Sequence, residues 1–464
     1  MTAIRKTKEK ASTRGVSMKK ILIANRGEIA ARIIRTCRRM GIETVAVYTD
    51  PDKDLPYVQQ ADKAVYIGSG PVKDTYLNKE KIIDIARTNG AEGIHPGYGF
   101  LSENSVFARE TEKAGITFIG PRPDTLALMG DKISARKLMQ AKGIPVVPGT
   151  FDDLETEEEA IEAAREIGFP VMLKASGGGG GIGMQICRNE EELRKYFSTA
   201  KARARNYFGS DQIFIEKFIE NARHAEVQIF ADSKGNTVHL FERDCSVQRR
   251  NQKVIEETHA PSLSPGVREK LYKYAVLAAE AVSYVNCGTV EFIVDEEENC
   301  YFLEMNTRLQ VEHPVTEMVC GVDLVEWQIE AARGNSLPKK QQEIRHEGHA
   351  IEFRVYAEDP VTFYPSPGKI TRMQWGSAGN VRIDSGYNEG NTVSPFYDPL
   401  IAKVIFYGAS RLQCIEESER FFRVTKIEGI KTNIPLLIKI ARDESFKNGN
   451  YTTNFLKKLK IEEV

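Results

Sequence analysis

Ser176 is followed by Gly177, Gly178, Gly179, Gly180, Gly181, Ile182 and Gly183, and this run constrains the chain more than any other segment. Six glycines in seven positions let the backbone adopt φ > 0 and approach a phosphate closely. The flanks decide what kind of loop it is. Residues 171–175 and 184–187 both read as strands, so the run tips a hairpin. A P-loop needs GxxxxGK[ST] opening a helix, and a dinucleotide fingerprint also needs a following helix; neither is present. The pattern points to a glycine lid that closes over a nucleotide and excludes water. A plain surface linker is the competing reading. Linkers are usually mixed with serine and join domains, whereas this run lies between apolar strands behind Lys174.

The segment before the lid alternates strands and helices. Ile21–Ala24 is a short buried-strand run, and Ile29, Ile33, Ile34, Cys37 and Met40 then recur at helical spacing. Gly41 stops that helix and Thr44–Tyr48 is the next strand; a further unit ends at Gly93–Gly97. This is a parallel, doubly wound start in an α/β chain. Residues 122–143 read as one helix, Pro145, Pro148 and Gly149 as a boundary, and 156–167 as a second helix. Strand patterns dominate 212–242 and 289–305. The last hundred residues mix short strands with Gly and Pro turns, plus helices ending near Arg423 and spanning about 434–442.

Two of the later strands carry acids. Glu291 sits in Thr289–Asp295, and Glu304 and Asn306 sit two apart on one face of Tyr301–Asn306. Two carboxylates and an amide oxygen are hard ligands suited to Mg2+ shared with a nucleotide triphosphate, although a polar strand face is as often merely solvated. Arg308, Gln310, Glu312 and His313 continue the segment. An arginine holds a planar anion through two parallel hydrogen bonds, and a glutamate beside it can act as a general base. Arg354 lies in another strand, Ile351–Val355. Surface ion pairing is the alternative for these charges.

Lys and Arg number 64 against 65 Asp and Glu, a net charge of −1, so neither nucleic acid nor a membrane surface is expected as a partner. Seven scattered cysteines without a CxxC pair fit reduced thiols in the cytoplasm. Residues 1–17 are basic and lack an apolar core, which excludes a secretory signal and fits a disordered tail or a natural start at Met18, with a transit peptide as the competing reading.

The segment Met305–Glu317, with Asn306-Thr307-Arg308-Leu309-Gln310-Val311-Glu312-His313-Pro314 at its centre, closely resembles the signature of the biotin carboxylases. Ile23–Ala30, His95–Asn104, Met129–Lys132, Glu242–Ser246, Pro365–Gly368 and Tyr397–Pro399 resemble it too. The resemblance runs from about 19 to 460. It implies an ATP-grasp ligase of α/β (α+β) class. A Rossmann-like domain would cover 18–132, an ATP-grasp domain 136–333 with its lid at about 147–218, and a C-terminal mixed β domain 345–460. It implies ATP- and bicarbonate-dependent carboxylation of biotin on a separate biotin carboxyl carrier protein, through carboxyphosphate. The expected cofactors are ATP, Mg2+ (or Mn2+) and biotin. By position, Lys132, Lys174, Gly180, Gly181, Glu216, Lys217, Ile219 and His224 would hold ATP, with Gln248 and Asn251 near its phosphates. Glu291, Glu304 and Asn306 would hold the metal. Lys253, Arg308, Gln310, Val311 and Glu312 would surround bicarbonate with Glu312 as base, and Arg354 would stabilise the biotin enolate. A homodimer and a carboxyltransferase partner are implied, as in acetyl-CoA carboxylase of fatty acid biosynthesis or pyruvate carboxylase; the acyl acceptor stays open. No Met-Lys-Met biotinylation motif occurs, so biotin is expected to arrive on another chain or free.

The rival readings are another ATP-grasp carboxylate–amine ligase and a weakened nucleotide-binding subunit. The second is motivated by two departures. Where the family usually reads Gln-Arg-Arg-His-Gln-Lys, this chain has Gln248-Arg249-Arg250-Asn251-Gln252-Lys253, and His259 follows Glu256-Glu257-Thr258 where the family has Ala-Pro. Asn251 can donate a hydrogen bond but carries no charge, and His259 is a candidate replacement for the lost imidazole. Asn251→His is expected to raise ATP turnover in a steady-state assay; no change, or a fall, counts against a phosphate role at 251.

Overall fold

Residues 17–177 and 184–459 are described by the computed structural model of the chain. Strands Lys20–Ile23, Glu43–Tyr48, Lys63–Tyr66, Gly93–His95 and Thr117–Phe118 form a parallel sheet in the order third, second, first, fourth, fifth. The first strand pairs on both sides, Ile21 with Thr44 and with Gly93. The order therefore reverses beside it, where an open α/β sheet leaves a crevice. Its apolar run is buried because the helix Gly27–Arg39 packs Ile29, Ile33, Ile34 and Cys37 into the core.

The helix expected over 122–143 is two helices, Pro123–Gly130 and Lys132–Ala141. Asp131 breaks them: its backbone leaves the helical region and its side chain accepts from the N–H groups of Ile133 and Ser134. Gly130 weakens the end of the first helix and an aspartate N-cap starts the second more favourably than it would extend the first. Lys132 thereby occupies the first turn of a new helix rather than the middle of an old one.

The segment expected to form the lid is an antiparallel sheet of Gln185–Cys187, Val171–Ala175 and Ile213–Lys217, backed by helices Glu157–Ile167 and Glu190–Phe208. Gly178–Gly183 lie outside the described residues. The chain enters the lid through Gly149, where a Cβ would stand 2.4 Å from the Ile215 carbonyl oxygen and 2.9 Å from Glu216 Cα. Thr150 N–H then donates to that same carbonyl.

Everything else hangs on one eight-stranded antiparallel sheet. Its order is Cys300–Asn306, Asn286–Val294, Arg223–Ala231, Thr237–Arg249, Gln252–Thr258, His349–Tyr356, Leu400–Gly408, Val381–Ser385. Three of the C-terminal strands continue this sheet, and shorter ones form two two-stranded sheets apart from it. His349–Tyr356 pairs with Gln252–Thr258 and carries the ladder onward into Leu400–Gly408. Helix Pro265–Ala281, capped by Ser264 and started by a proline, buries Val267, Leu271 and Ala275 in the core beside this sheet. All seven cysteines are buried free thiols, and no helix among the described residues is long and apolar enough to cross a membrane.

Gly149→Ala is expected to cost about 1–3 kcal/mol, because the added methyl overlaps backbone rather than a flexible side chain. It would be read as a lower denaturation midpoint, and an unchanged midpoint would show that the strand yields.

Candidate active site

A cleft of about 400 Å³ lies where the lid sheet faces the eight-stranded sheet. Seventeen of the site residues anticipated from the sequence line it: Lys132, Lys174, Glu216, Lys217, Ile219, His224, Gln248, Asn251, Lys253, Glu291, Glu304, Asn306, Arg308, Gln310, Val311, Glu312 and Arg354. Gly180 and Gly181 lie outside the described residues.

Lys253 is the centre of the floor. Its ammonium donates to Glu226 at 2.6 Å, Glu291 at 2.9 Å and Glu312 at 2.6 Å. All three donors of a lysine are thus used on three buried carboxylates. Arg354 donates to the other oxygen of Glu312 at 3.0 Å and pairs with Glu256. Burial works against charge on Glu312, but Lys253 and Arg354 hold its carboxyl well below the usual carboxylate range. Burial likewise opposes the ammonium of Lys253, and the carboxylates around it keep it well above the ordinary lysine value.

Beneath this floor Arg243 is fully buried and uses its whole guanidinium. It donates to Glu226 at 2.5 Å, Gln228 at 2.8 Å, Thr316 at 2.9 Å, Thr289 at 3.2 Å and Gln310 at 2.9 Å. Gln310 passes this order upward by donating to Glu291 at 2.8 Å. His224 contacts the other oxygen of Glu291 at 2.9 Å, and its Nδ1 lies 2.7 Å from Gln248. Burial lowers the affinity of His224 for a proton, yet Glu291 raises it above the ordinary histidine value.

The acids expected to bind metal face one another. Glu291 and Glu304 are direct cross-strand partners, and Asn306 lies opposite Thr289 two residues along. Each is engaged by a cationic side chain: Glu304 by Lys132 at 2.6 Å, Glu291 by Lys253, and Asn306 Oδ1 by Arg308 at 2.9 Å. Across the cleft, Lys174 pairs with Glu216, which Arg136 also holds at 2.9 Å. Lys217 is turned to the lid backbone and donates to the carbonyls of Gly168 at 2.9 Å and Phe169 at 3.0 Å. The Val311 carbonyl accepts from buried Lys403 at 2.9 Å.

Asn251 stands at the tip of the hairpin joining Thr237–Arg249 to Gln252–Thr258. Arg250 and Asn251 both have positive φ, 49° and 65°. A two-residue turn with both central residues left-handed favours asparagine, so the turn supplies a backbone reason for this residue. His259 does not replace an imidazole in the cleft. It lies 2.9 Å from Glu242 and stacks on His346 with ring centroids 3.5 Å apart, outside the lining. The strand ends at Thr258, and the chain turns away before His259 can share the face of Lys253.

Four contributors escaped the sequence reading. Glu226 is one, and the signal was there: His224, Glu226 and Gln228 alternate along a strand, a polar stripe pointing one way. Arg243 and Glu256 sit in segments read only as strand or motif. Glu103, in the His95–Asn104 motif, accepts from Arg308 at 2.8 Å and from Thr307 N–H at 3.0 Å. It joins the parallel-sheet unit to the floor.

Comparison with known proteins identifies the family. Residues 17–126 match the biotin carboxylase N-terminal domain, 131–340 the ATP-binding domain of the carbamoyl-phosphate synthase L chain, and 352–458 the biotin carboxylase C-terminal domain. Biotin carboxylase 2 of Bacillus subtilis is 56% identical over 94% of this chain and 99% of its own length. The propionyl-CoA carboxylase alpha chain of Ruegeria pomeroyi is 47% identical over 94% of this chain and 67% of its own. A similar crystal structure is the biotin carboxylase domain dimer of Hydrogenobacter thermophilus 2-oxoglutarate carboxylase, with MgADP, ADP and bicarbonate. It superposes with a TM-score of 0.94 at 47% identity, over 97% of this chain and 100% of that one. The chain belongs to the biotin carboxylase family of ATP-grasp ligases and, with ATP, Mg2+ and bicarbonate, carboxylates biotin.

Proposed function

We propose that the Lys253–Glu312–Arg354 group is where bicarbonate is activated and biotin is carboxylated, as the first half-reaction of a biotin-dependent carboxylase. The observation that carries this is Glu312, a buried carboxylate bridged by two cations, with Arg308, Gln310 and Val311 on the same wall of the cleft. Bicarbonate takes the place of part of this internal ion pairing: Arg308 and Lys253 hold the anion, and Glu312 accepts its proton. The freed oxygen bonds to the γ-phosphorus of ATP, the bond from that phosphorus to the bridging oxygen breaks, and ADP leaves with carboxyphosphate formed. Lys132, Lys174 and His224, with the backbone at Glu216–Ile219, bind the nucleotide, and Gln248 and Asn251 lie towards its phosphates. Glu291, Glu304 and Asn306 are the oxygen donors for Mg2+, which neutralises phosphate charge when bound. Their oxygens already attract lysine and arginine cations, so the donor set suits a cation. Carboxyphosphate then breaks at its carboxyl carbon–oxygen bond to CO2 and phosphate, the phosphate takes the ureido N–H proton of biotin, Arg354 stabilises the enolate so formed, and the ureido nitrogen bonds to the carbon of CO2.

The same reading divides the chain at 18–132, 136–333 and 345–460, with a lid at about 147–218. It places biotin on a separate carrier protein, pairs two copies of the chain, and leaves the acyl acceptor to a partner carboxyltransferase. Relatives named for propionyl-CoA and for 2-oxoglutarate support that last point, since one carboxylation unit serves different acceptors.

Purified protein is expected to hydrolyse ATP in a bicarbonate-dependent manner, faster with free biotin added; an active preparation that ignores biotin would favour a carboxylate–amine ligase. Glu312→Gln is expected to lower that hydrolysis by about 10²–10⁴-fold, the range for losing a general base. Because Lys253 and Arg354 keep Glu312 ionised, its titration is expected to place no acid limb in kcat/KM for bicarbonate above pH about 4.3, the ordinary glutamate value. A limb that Glu312→Gln removes near neutral pH would contradict this.

A further inference from the structure

Behind Arg354 lies a second pair of acids that the mechanism does not use. Glu256 and Glu352 are direct cross-strand partners on Gln252–Thr258 and His349–Tyr356, and both side chains are 0% exposed. Directly opposed side chains in an antiparallel pair stand about 4.5–5.5 Å apart at Cβ. Glu256 pairs with Arg354. Neither carboxyl oxygen of Glu352 has a hydrogen-bond partner among the described residues.

The charged groups around the pair come from every neighbouring element. On the strand of Glu256 there is Lys253, committed to three other carboxylates. On the strand of Glu352 there is Arg354, shared between Glu256 and Glu312. From Leu400–Gly408 comes Lys403, which donates to the Val311 carbonyl and pairs with Glu28 at 3.1 Å. From Thr237–Arg249 comes the buried thiol of Cys245. The cations that face Glu352 are therefore engaged elsewhere. Two ionised carboxylates forced together without a bridging cation are costly, and one proton shared between them removes the repulsion. Burial first, and Glu312 nearby, raise Glu256 to about 7 against the pull of Arg354; burial raises Glu352 well above the ordinary value, with Lys403 opposing.

We propose that Glu256 and Glu352 hold one proton between them at neutral pH, and that this neutral-plus-charged carboxyl pair positions Arg354 for the biotin step. Glu352 donates its O–H to Glu256, and Glu256 keeps a single negative charge on Arg354. Loss of the shared proton puts a second charge behind the guanidinium and draws it away from the cleft. The proposal rests on the role given to Arg354 above. Glu352 and Glu256 are positioning residues.

The test begins with infrared pH-difference spectra of the full-length protein. A carboxylic-acid carbonyl band is expected in wild type at neutral pH, titrating away on the alkaline side and absent from Glu352→Gln. No such band in wild type, or one that persists in both Glu352→Gln and Glu256→Gln, overturns the proposal; the wild-type spectrum decides even if a variant fails to fold. Linkage supplies a second readout. A carboxyl whose folded pKa is raised costs stability as pH climbs from the unfolded value, about 4.3, to the raised one. Glu352→Gln is therefore expected to melt higher than wild type at pH 8 and to lose that advantage at pH 4. The KM for free biotin is expected to rise on the order of tenfold in wild type as the pair deprotonates, the effect of about one pK unit of coupling, and to stay flat in Glu352→Gln. Equal profiles in the two proteins overturn the positioning role. Arg354→Ala separates the two layers: if biotin carboxylation survives it, the role of Arg354 fails, while the infrared band still reports on the pair.

Discussion

The Lys253 ammonium, bonded at once to Glu226, Glu291 and Glu312, is the interaction on which the rest of the site depends. Three buried carboxylates on one floor repel one another, and removing one partner of a buried ion pair commonly costs about 3–5 kcal/mol. Lys253 alone does not offset that repulsion. Arg243 neutralises Glu226 from below, and Arg354 neutralises Glu312 from the side. The floor is a lattice of alternating charge in which each side chain is fixed by at least two others. Such a lattice is rigid, and the reacting groups of a phosphoryl-transfer site need to be placed before the substrates arrive.

That lattice exists because one sheet runs through most of the chain. Glu226, Arg243, Lys253, Glu291 and Arg354 come from five strands of the eight-stranded ladder. Glu312 comes from the turn before the helix His313–Cys320, whose N-terminal residues are all buried. The C-terminal strand His349–Tyr356 is hydrogen-bonded to the strand that carries Lys253, so residues distant in sequence share one pleated face. The parallel-sheet unit is tied to this floor by Glu103 on Arg308 and by Glu28 on Lys403. The sheet that carries Lys174 and Glu216 is tied more lightly, through Gly149 and the Arg136–Glu216 pair.

Charged side chains lining the cleft are paired with one another. Lys132 rests on Glu304, Lys174 on Glu216, Arg308 on Glu103 and Asn306, and Glu312 on two cations. Ligand binding to such a site is an exchange of ion pairs rather than the filling of an empty hole. Such an exchange avoids leaving a buried charge unpaired, which is the costly alternative.

Local signals were legible without the structure. The glycine run between two strands, the alternation of Glu304 and Asn306, the doubly wound start and the cluster Arg308–Glu312 depend on residue type and short spacing, and these are written directly in the chain. A helix that breaks at Asp131 was legible too, since glycine followed by aspartate is a stop and a cap, but the apolar periodicity across 122–143 hid it. Glu256 and Glu352 could not be paired from the sequence, nor could Glu103 be placed on Arg308. His259 looked available for the cleft until the end of its strand sent it to Glu242 and His346. The sequence by itself determined which chemical groups are present and which strand face each occupies. Only the tertiary structure decided which charges meet, because register across a sheet and the burial of a carboxylate are set by partners dozens or hundreds of residues away. Lys253 is the plain case: the motif resemblance names it, and only the fold shows three carboxylates converging on it.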